Sequence, residues 1–261
     1  MSDLSDLWRS RGVPEGGVLL LHSSAKRTLR ERGITPAELL DSFLEAVGEQ
    51  GTLVIPCFNF DFCQGKSFNV RETPGITGIL GETARQRPDA VFSQHPVYRC
   101  VILGKMAHQF RDGIEPCTDR GATAYGHGSI WGWLRMHGGR IGVLDLPDQN
   151  AMTAYHHAEE LSGAPWRYHK KFSGSYTDMD GNTTQRDAWI YVRQPDVVTN
   201  VDPCGEMLWR AGLYQGDRPR VNSGLRTIDA EAFHRFVVEI VNAIRQGAAD
   251  HKLLYLRNEA A

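Results

Sequence analysis

The sequence predicts an α/β protein with a mixed central sheet flanked by helices and a β-hairpin region in the C-terminal third. Three observations carry that expectation. Two apolar runs, VLLLH (Val18 to His22) and TLVIP (Thr52 to Pro56), have the length and continuity of strands buried on both faces. Between them lies a helix with complete start and stop signals, so the succession is strand, helix, strand, which favours partly parallel pairing and a right-handed crossover. Near the C-terminal third, Asp178-Met179-Asp180-Gly181-Asn182 separates two stretches in which charged and aromatic residues alternate, the signature of a hairpin with one wet face. With 261 residues and neither internal repeat nor low-complexity linker, residues 1–261 read as one domain with a hairpin-rich subregion at about 166–193.

Taken in order, Met1 to Gly17 reads as a short lead-in helix and loop. The first strand ends in His22-Ser23-Ser24, followed by the basic residues Lys26, Arg27 and Arg30. Ligands of α/β sheets bind beyond the carboxyl ends of strands, where hydroxyls and backbone N–H groups are free, and the basic rim could meet a phosphate or be a solvated helix face. Thr35-Pro36-Ala37-Glu38 supplies a hydroxyl cap, a proline at the first helical position and a glutamate three residues after the cap. Leu39, Leu40, Phe43, Leu44 and Val47 then share one face before Gly48. Cys57 to Pro74 shows no sustained period and reads as a long loop whose aromatics are either a substrate wall or anchors. A helix over Ile76 to Arg87, a turn at Phe92 to Pro96 with His95 as ligand contact or turn cap, a strand from Tyr98 to Leu103 and a helix from Met106 to Phe110 follow. Gly121 to Gly132 is glycine-spaced but contains neither G-x-x-x-x-G-K-S/T nor G-x-G-x-x-G, so nucleotide hydrolysis and dinucleotide binding lose their usual sequence support. Arg140 to Leu144 reads as a strand, Trp166 to Tyr176 and Thr184 to Arg193 as the hairpin strands, and Glu206 to Ala211 as a helix. A long amphipathic helix is expected from near Thr227, and a last strand, Leu253 to Leu256, to close the sheet.

Composition narrows the function classes. The 29 basic and 31 acidic residues nearly cancel, so no nucleic acid or membrane surface is implied by global charge. No apolar run approaches the ~20 residues of a membrane span. The N-terminal MSDLSDLWRSRG is polar and acid-bearing, unlike a secretion signal, and a cytoplasmic location is expected. Five scattered cysteines (Cys57, Cys63, Cys100, Cys117, Cys204) form no C-x-x-C pair, which argues against a disulfide framework or a structural zinc site.

The stretch with most chemical content is Asp145 to Glu160, DLPDQNAMTAYHHAEE. A helix through it sets Thr153, His156 and Glu159 at steps of three on one face. A hydroxyl, an imidazole that titrates near neutrality and a carboxylate able to fix its tautomer suit proton transfer; a surface helix with ordinary polar residues has the same spacing.

The ordered succession LLLHSS (Leu19 to Ser24), GTLVIPCF (Gly51 to Phe58), ETPGITGILGE (Glu72 to Glu82), HP (His95, Pro96), YGHGSIWGWL (Tyr125 to Leu134) and TAYHHAEE (Thr153 to Glu160) resembles the aminoglycoside 3-N-acetyltransferase family over nearly the whole chain. The resemblance implies the antibiotic N-acetyltransferase-type fold, distinct from the GCN5-like one, and acetyl-CoA-dependent transfer to a primary amine, with no metal. The family's T-x-x-H-x-x-E motif falls on Thr153, His156 and Glu159, which makes His156 the general base and Glu159 its partner. His22, Ser23, Ser24, Lys26, Arg27 and His95 are the residues expected beside CoA, with backbone N–H groups after His22 as oxyanion donors. The partner is then a small-molecule amine, with a homodimer allowed for. The chain is nearly neutral and has Asn69 where many members carry an aspartate before the T-P step, so an amino sugar on a nucleotide carrier stands beside an aminoglycoside as acceptor.

Three rivals stand against direct transfer. Cys57 could be a nucleophile in a ping-pong reaction, which requires a histidine beside it. A metal-dependent hydrolase would use His156, His157 and Glu160, although adjacent helical residues point to different sides. A catalytically silent CoA-binding protein needs no base at all.

Overall fold

The computed structural model describes residues 3–114, 121–248 and 256–258. Its first half contains α1 (Asp3–Ser10), β1 (Val18–Ser23), α2 (Lys26–Arg32), α3 (Pro36–Val47), β2 (Thr52–Pro56), β3 (Phe68–Asn69), α4 (Ile79–Arg85), β4 (Val91–Phe92), β5 (Cys100–Gly104) and α5 (Ala107–Gly113). The second half adds α6 (Ile130–Met136), β6 (Arg140–Leu144), α7 (Ala154–Leu161), β7 (Arg167–Thr177), β8 (Thr183–Arg193), β9 (Val197–Thr199), α8 (Asp202–Arg210), β10 (Gln215–Gly216), β11 (Leu225–Asp229), α9 (Ala230–Arg245) and β12 (Leu256–Asn258). The α3 start has the local chemistry expected of it: the Thr35 hydroxyl accepts the Glu38 N–H, and the Glu38 carboxylate accepts the Thr35 N–H at 2.7 Å. That helix buries Leu39, Leu40, Phe43, Ala46 and Val47, and α1 seals it by stacking Trp8 on Phe43 at 4.7 Å.

Seven strands form the central sheet in the order β10-β11-β6-β1-β2-β5-β4. β1 runs parallel to both neighbours, with Leu20 opposite Val54 on one side and Ile141 on the other. β5 is antiparallel to β2 and β11 antiparallel to β6, so the sheet is mixed. The chain leaves β1 for β2 on one side and later returns to β6 on the other, which makes the carboxyl end of β1 the switch point where a crevice opens. A smaller sheet, β3-β7-β8, rises beside this edge; its long hairpin pairs Arg167 with Arg193 at one end and Thr177 with Thr183 at the other. The turn at 178–182 is where its sequence signature placed it, with Asp178 accepting the Asp180 and Asn182 N–H groups.

The C-terminal part departs from expectation. Leu225–Asp229 is a strand, and the helix expected near Thr227 begins at Ala230, with Asp229 accepting the Ala232 N–H as its cap. The tetrad Leu-Arg-Thr-Ile has no apolar continuity because Arg226 and Thr227 are buried by partners far away in sequence, Asp148 and the Arg11 carbonyl. β12 pairs with β9 in a separate two-stranded sheet and does not close the central one; residues 253–255 of the expected strand lie outside the described residues. The glycine-rich stretch hides a further helix, α6, capped by the Ser129 hydroxyl; a side chain at Gly132 would collide with the His127 carbonyl.

Candidate active site

The edge formed by the carboxyl ends of β1, β2 and β6 opens into two cavities that share Asn150, Ala151 and Thr153. The larger, about 850 Å³, is a groove lined by His22, Ser23, Ser24 and Lys26 on one side and by Phe58, Phe60, Ile76 and Ile79 on the other. Phe60, Ile76 and Ile79 are exposed apolar side chains here, while Phe62 is buried and packs against the site of Gly174. The loop aromatics therefore divide between the two readings: Phe60 is wall and Phe62 is anchor. Gly81 lets α4 approach the groove floor, since a Cβ there would stand 2.6 Å from the Pro56 carbonyl.

The second cavity, about 330 Å³, is lined by the loop from Asp148 to Met152, by Thr153, Tyr155, His156 and Glu159 of the following helix, and by Arg167, Arg193, Thr199 and Val201. Ala158 is fully buried, and the Tyr155 ring packs edge-on to Phe233 of α9 at 4.9 Å. Thr153, His156 and Glu159 meet the cavity at the predicted three-residue spacing. The His156 side chain is 33% exposed against 1% for Glu159, and its Nδ1 lies 2.9 Å from Glu159 Oε2. Glu159 is further held by Trp166 Nε1–H, which donates to Oε1 at 2.9 Å, and by Arg167, whose Nε lies 2.5 Å from Oε2. Burial alone would raise the Glu159 pKa, but the Arg167 charge and the His156 and Trp166 hydrogen bonds bring it down to about 2. His156 is lowered as well, by burial and then by the Arg167 charge, with Glu159 opposing them, and for an imidazole that favours the neutral form. Both groups therefore rest in the states a general base requires at neutral pH, an ionised carboxylate beside a neutral imidazole.

Arg167 Nη2 also lies 2.8 Å from His156 Nδ1. One ring nitrogen cannot donate to Glu159 and accept from Arg167 at once. The tautomer with Nδ1–H toward Glu159 leaves Nε2 as the basic atom.

The neighbours of the motif turn elsewhere. His157 is buried between the Tyr125 carbonyl, 2.5 Å from Nδ1, and Arg135, 3.0 Å from Nε2, and burial first of all pushes its pKa down to about 3. Glu160 accepts hydrogen bonds from the Thr123 hydroxyl and His169 Nε2. His156, His157 and Glu160 thus diverge, and among the described residues no group of three His, Cys, Asp or Glu side chains is placed to hold a metal ion. Cys57 is buried with its Sγ 3.1 Å from Arg99 Nη2 and 3.5 Å from Glu82 Oε1, an arginine and a carboxylate in place of the histidine a ping-pong nucleophile requires; burial raises its pKa, and it lines neither cavity.

Among the residues expected beside CoA, His22, Ser23, Ser24 and Lys26 line the groove, whereas Arg27 and His95 line neither large cavity. One residue along a helix is a rotation of about 100°, so Arg27 points away from Lys26. It is committed to Asp145, with Nη2 at 2.6 Å and Nε at 3.0 Å from Oδ1. That pair secures the exit from β6, where Asp145 holds a left-handed backbone (φ 60) and accepts hydrogen bonds from Thr28 Oγ1 and the Gly224 N–H. His95 proves to be a turn cap: its Nδ1 accepts the Val97 and Tyr98 N–H groups, both at 2.9 Å. His22 is buried, neutral, and pushed down to about 3 by burial. The Ser24 N–H, one of the expected oxyanion donors, is taken by the Leu144 carbonyl at 2.9 Å.

Arg167, Trp166, Tyr125 and the buried Asp148–Arg226 pair escaped sequence reasoning. Tyr125 meets His156 edge-on at 5.2 Å across 31 positions of sequence, and Arg226 reaches Asp148 at 2.6 Å from another strand. No local periodicity marks such contacts. The one signal available was the loop 145–150, whose second acid, Asp148, collects the Tyr155 and Tyr214 hydroxyls as well.

Comparison with known proteins places the chain and its fold. Residues 20–242 match the family model described as aminoglycoside 3-N-acetyltransferase. Aminoglycoside N(3)-acetyltransferase VII of Streptomyces paromomycinus is 28% identical over 173 residues, and aminoglycoside N(3)-acetyltransferase VIII of Streptomyces fradiae is 27% identical over 176. Each alignment covers 59% of this chain and 58% of the relative, so the chain spans under two thirds of the curated relatives it matches. Among solved structures, AAC-IIIb in binary complex with CoASH superposes with a TM-score of 0.77 at 20% identity, covering 93% of this chain and 95% of that one. The aminoglycoside acetyltransferase AAC(3)-Xa gives 0.75 at 23% identity, covering 92% and 91%. At such identities the structural likeness is one of fold, and it is the fold expected, a mixed sheet of the antibiotic N-acetyltransferase type. With the family model spanning most of its length, the chain belongs to the aminoglycoside 3-N-acetyltransferase family.

Proposed function

We propose that this chain is an acetyl-CoA-dependent N-acetyltransferase that acts on a primary amine of an amino sugar by direct attack, with His156 as general base. The observation that carries the reading is the Nδ1 of His156, 2.9 Å from an ionised, buried Glu159, on a helix whose first turn forms the wall between the two cavities. The groove suits the CoA moiety on its own features. Exposed Phe60, Ile76 and Ile79 offer apolar surface for a pantetheine arm, and Ser23, Ser24 and Lys26 offer hydroxyls and a cation. Family membership supports the assignment, as does the CoASH bound in the AAC-IIIb structure. Bound there, the thioester supplies an activated acyl group and a thiolate leaving group. An alkylammonium cannot attack it, so His156 Nε2 takes the proton while Glu159 steadies the imidazolium through Nδ1–H; such base catalysis contributes on the order of 10²–10⁴-fold. Thr153, at the shared wall, stands where amine and thioester meet, and holding the two together supplies the remainder.

The test is thiol release from acetyl-CoA against a panel of aminoglycosides, free amino sugars and nucleotide-linked amino sugars. Release with at least one amine, abolished in His156→Ala, is expected. A wild-type protein that binds CoA yet releases thiol with no amine would identify a catalytically silent binder.

A further inference from the structure

The smaller cavity, which the acyl-transfer reading leaves for the acceptor amine, carries positive charge without a free carboxylate to balance it. Its two acidic lining residues are both committed: Asp148 to Arg226 at 2.6 Å with two tyrosine hydroxyls beside it, and Glu159 to Arg167 and His156. Asp202 accepts the Gln149 N–H at 2.8 Å and is not part of the lining. On the hairpin, Arg167 and Arg193 stand directly opposite each other on neighbouring strands, and both line the cavity. Like charges in that cross-strand position repel. Glu159 neutralises Arg167, but Arg193 is exposed and has no ion pair among the described residues. A polycation entering this cavity meets Arg193 with no available anion.

We infer that the acceptor is an amine bearing an anionic group, a phosphate or a carboxylate, and that Arg193 selects it. This rests on the acyl-transfer reading above and narrows its substrate class. The amine is placed toward His156 while the anion lies against the Arg193 guanidinium at the end of the hairpin, whose planar donors match a phosphate or carboxylate two bonds at a time. The cation that repels a polyamine is then the one that orients the acceptor.

The test is calorimetric binding of glucosamine, glucosamine 6-phosphate and gentamicin to the wild-type protein saturated with CoA, so that phosphate cannot bind in the groove. The phosphorylated amine is expected to bind about 10- to 100-fold more tightly than glucosamine, the size of a charge-assisted hydrogen-bond pair. Arg193→Gln brings that ratio close to one, and Arg193→Glu reverses the ranking in favour of gentamicin. Tighter binding of gentamicin by the wild type, no detectable binding of the phosphorylated amine, or a phosphate preference that survives Arg193→Gln overturns the inference. Thiol release is followed in parallel: its failure with every amine sinks the transfer reading, while the binding ranking still decides the charge selection.

Discussion

Replacing Glu159 by glutamine removes one charge from the group in the smaller cavity that is held by His156, Trp166 and Arg167 together, and its effect on stability can be worked out. The carboxylate is held from its ordinary 4.5 to about 2, so its ionised form adds about 3 kcal/mol to folding stability at neutral pH. That is close to the cost of breaking a buried ion pair from one side, about 3–5 kcal/mol, as Arg167 would be left 6% exposed without its partner. The sign follows from the depressed folded pKa: the contribution is fully present above 4.5 and is lost as pH falls toward 2, leaving about 1 kcal/mol at pH 3. Urea denaturation of wild type and Glu159→Gln at pH 7 and pH 3 measures the difference directly. The variant should be less stable by about 3 kcal/mol at pH 7, with the gap shrinking by more than half at pH 3. An equal gap at both values, or none at pH 7, would show that the carboxylate is not held ionised by Arg167. The same variant should lose about 10²-fold or more in kcat, because the imidazole forfeits the group that fixes its tautomer.

Other substitutions separate neighbours that the sequence sets side by side. His156→Ala should lower kcat by about 10²–10⁴-fold with little change in Tm, whereas His157→Ala, which removes the bridge between Tyr125 and Arg135, should lower Tm and leave the measured kcat within a few fold. Lys26→Ala should raise KM for acetyl-CoA about tenfold, while Arg27→Ala should leave that KM nearly unchanged and destabilise the fold through Asp145, both read from steady-state kinetics and a melt. Arg226→Met leaves Asp148 buried without its cation and should cost about 3–5 kcal/mol in urea denaturation.

Helical spacing was enough to bring Thr153, His156 and Glu159 to one cavity, because a helix translates sequence distance into direction. The same logic assigns strands where apolar continuity is complete, as in Leu19 to Leu21 and Leu53 to Ile55. It fails at β11, where Arg226 and Thr227 are buried by groups from other elements, and at Arg27, whose charge looked available until Asp145 claimed it. Asn69 shows the same limit from another side. Its side-chain Oδ1 accepts the Arg71 and Glu72 N–H groups, and it lines neither cavity, so this residue builds a turn and is not an acceptor contact. What decides the chemistry of His156, the pairing of Arg167 with Glu159, joins a hairpin strand to a helix and has no local signature.

Because Asn150, Ala151 and Thr153 belong to both cavities, under the acyl-transfer proposal donor and acceptor occupy the protein together, separated by the thickness of one loop. Initial-rate lines should therefore intersect, as in a sequential mechanism, and a compound that covalently joins an amine to CoA through a short acyl bridge should fit without rearrangement. Tethering converts the second contact into an intramolecular one, so such a bisubstrate ligand should bind about 10²–10⁴-fold more tightly than either half alone.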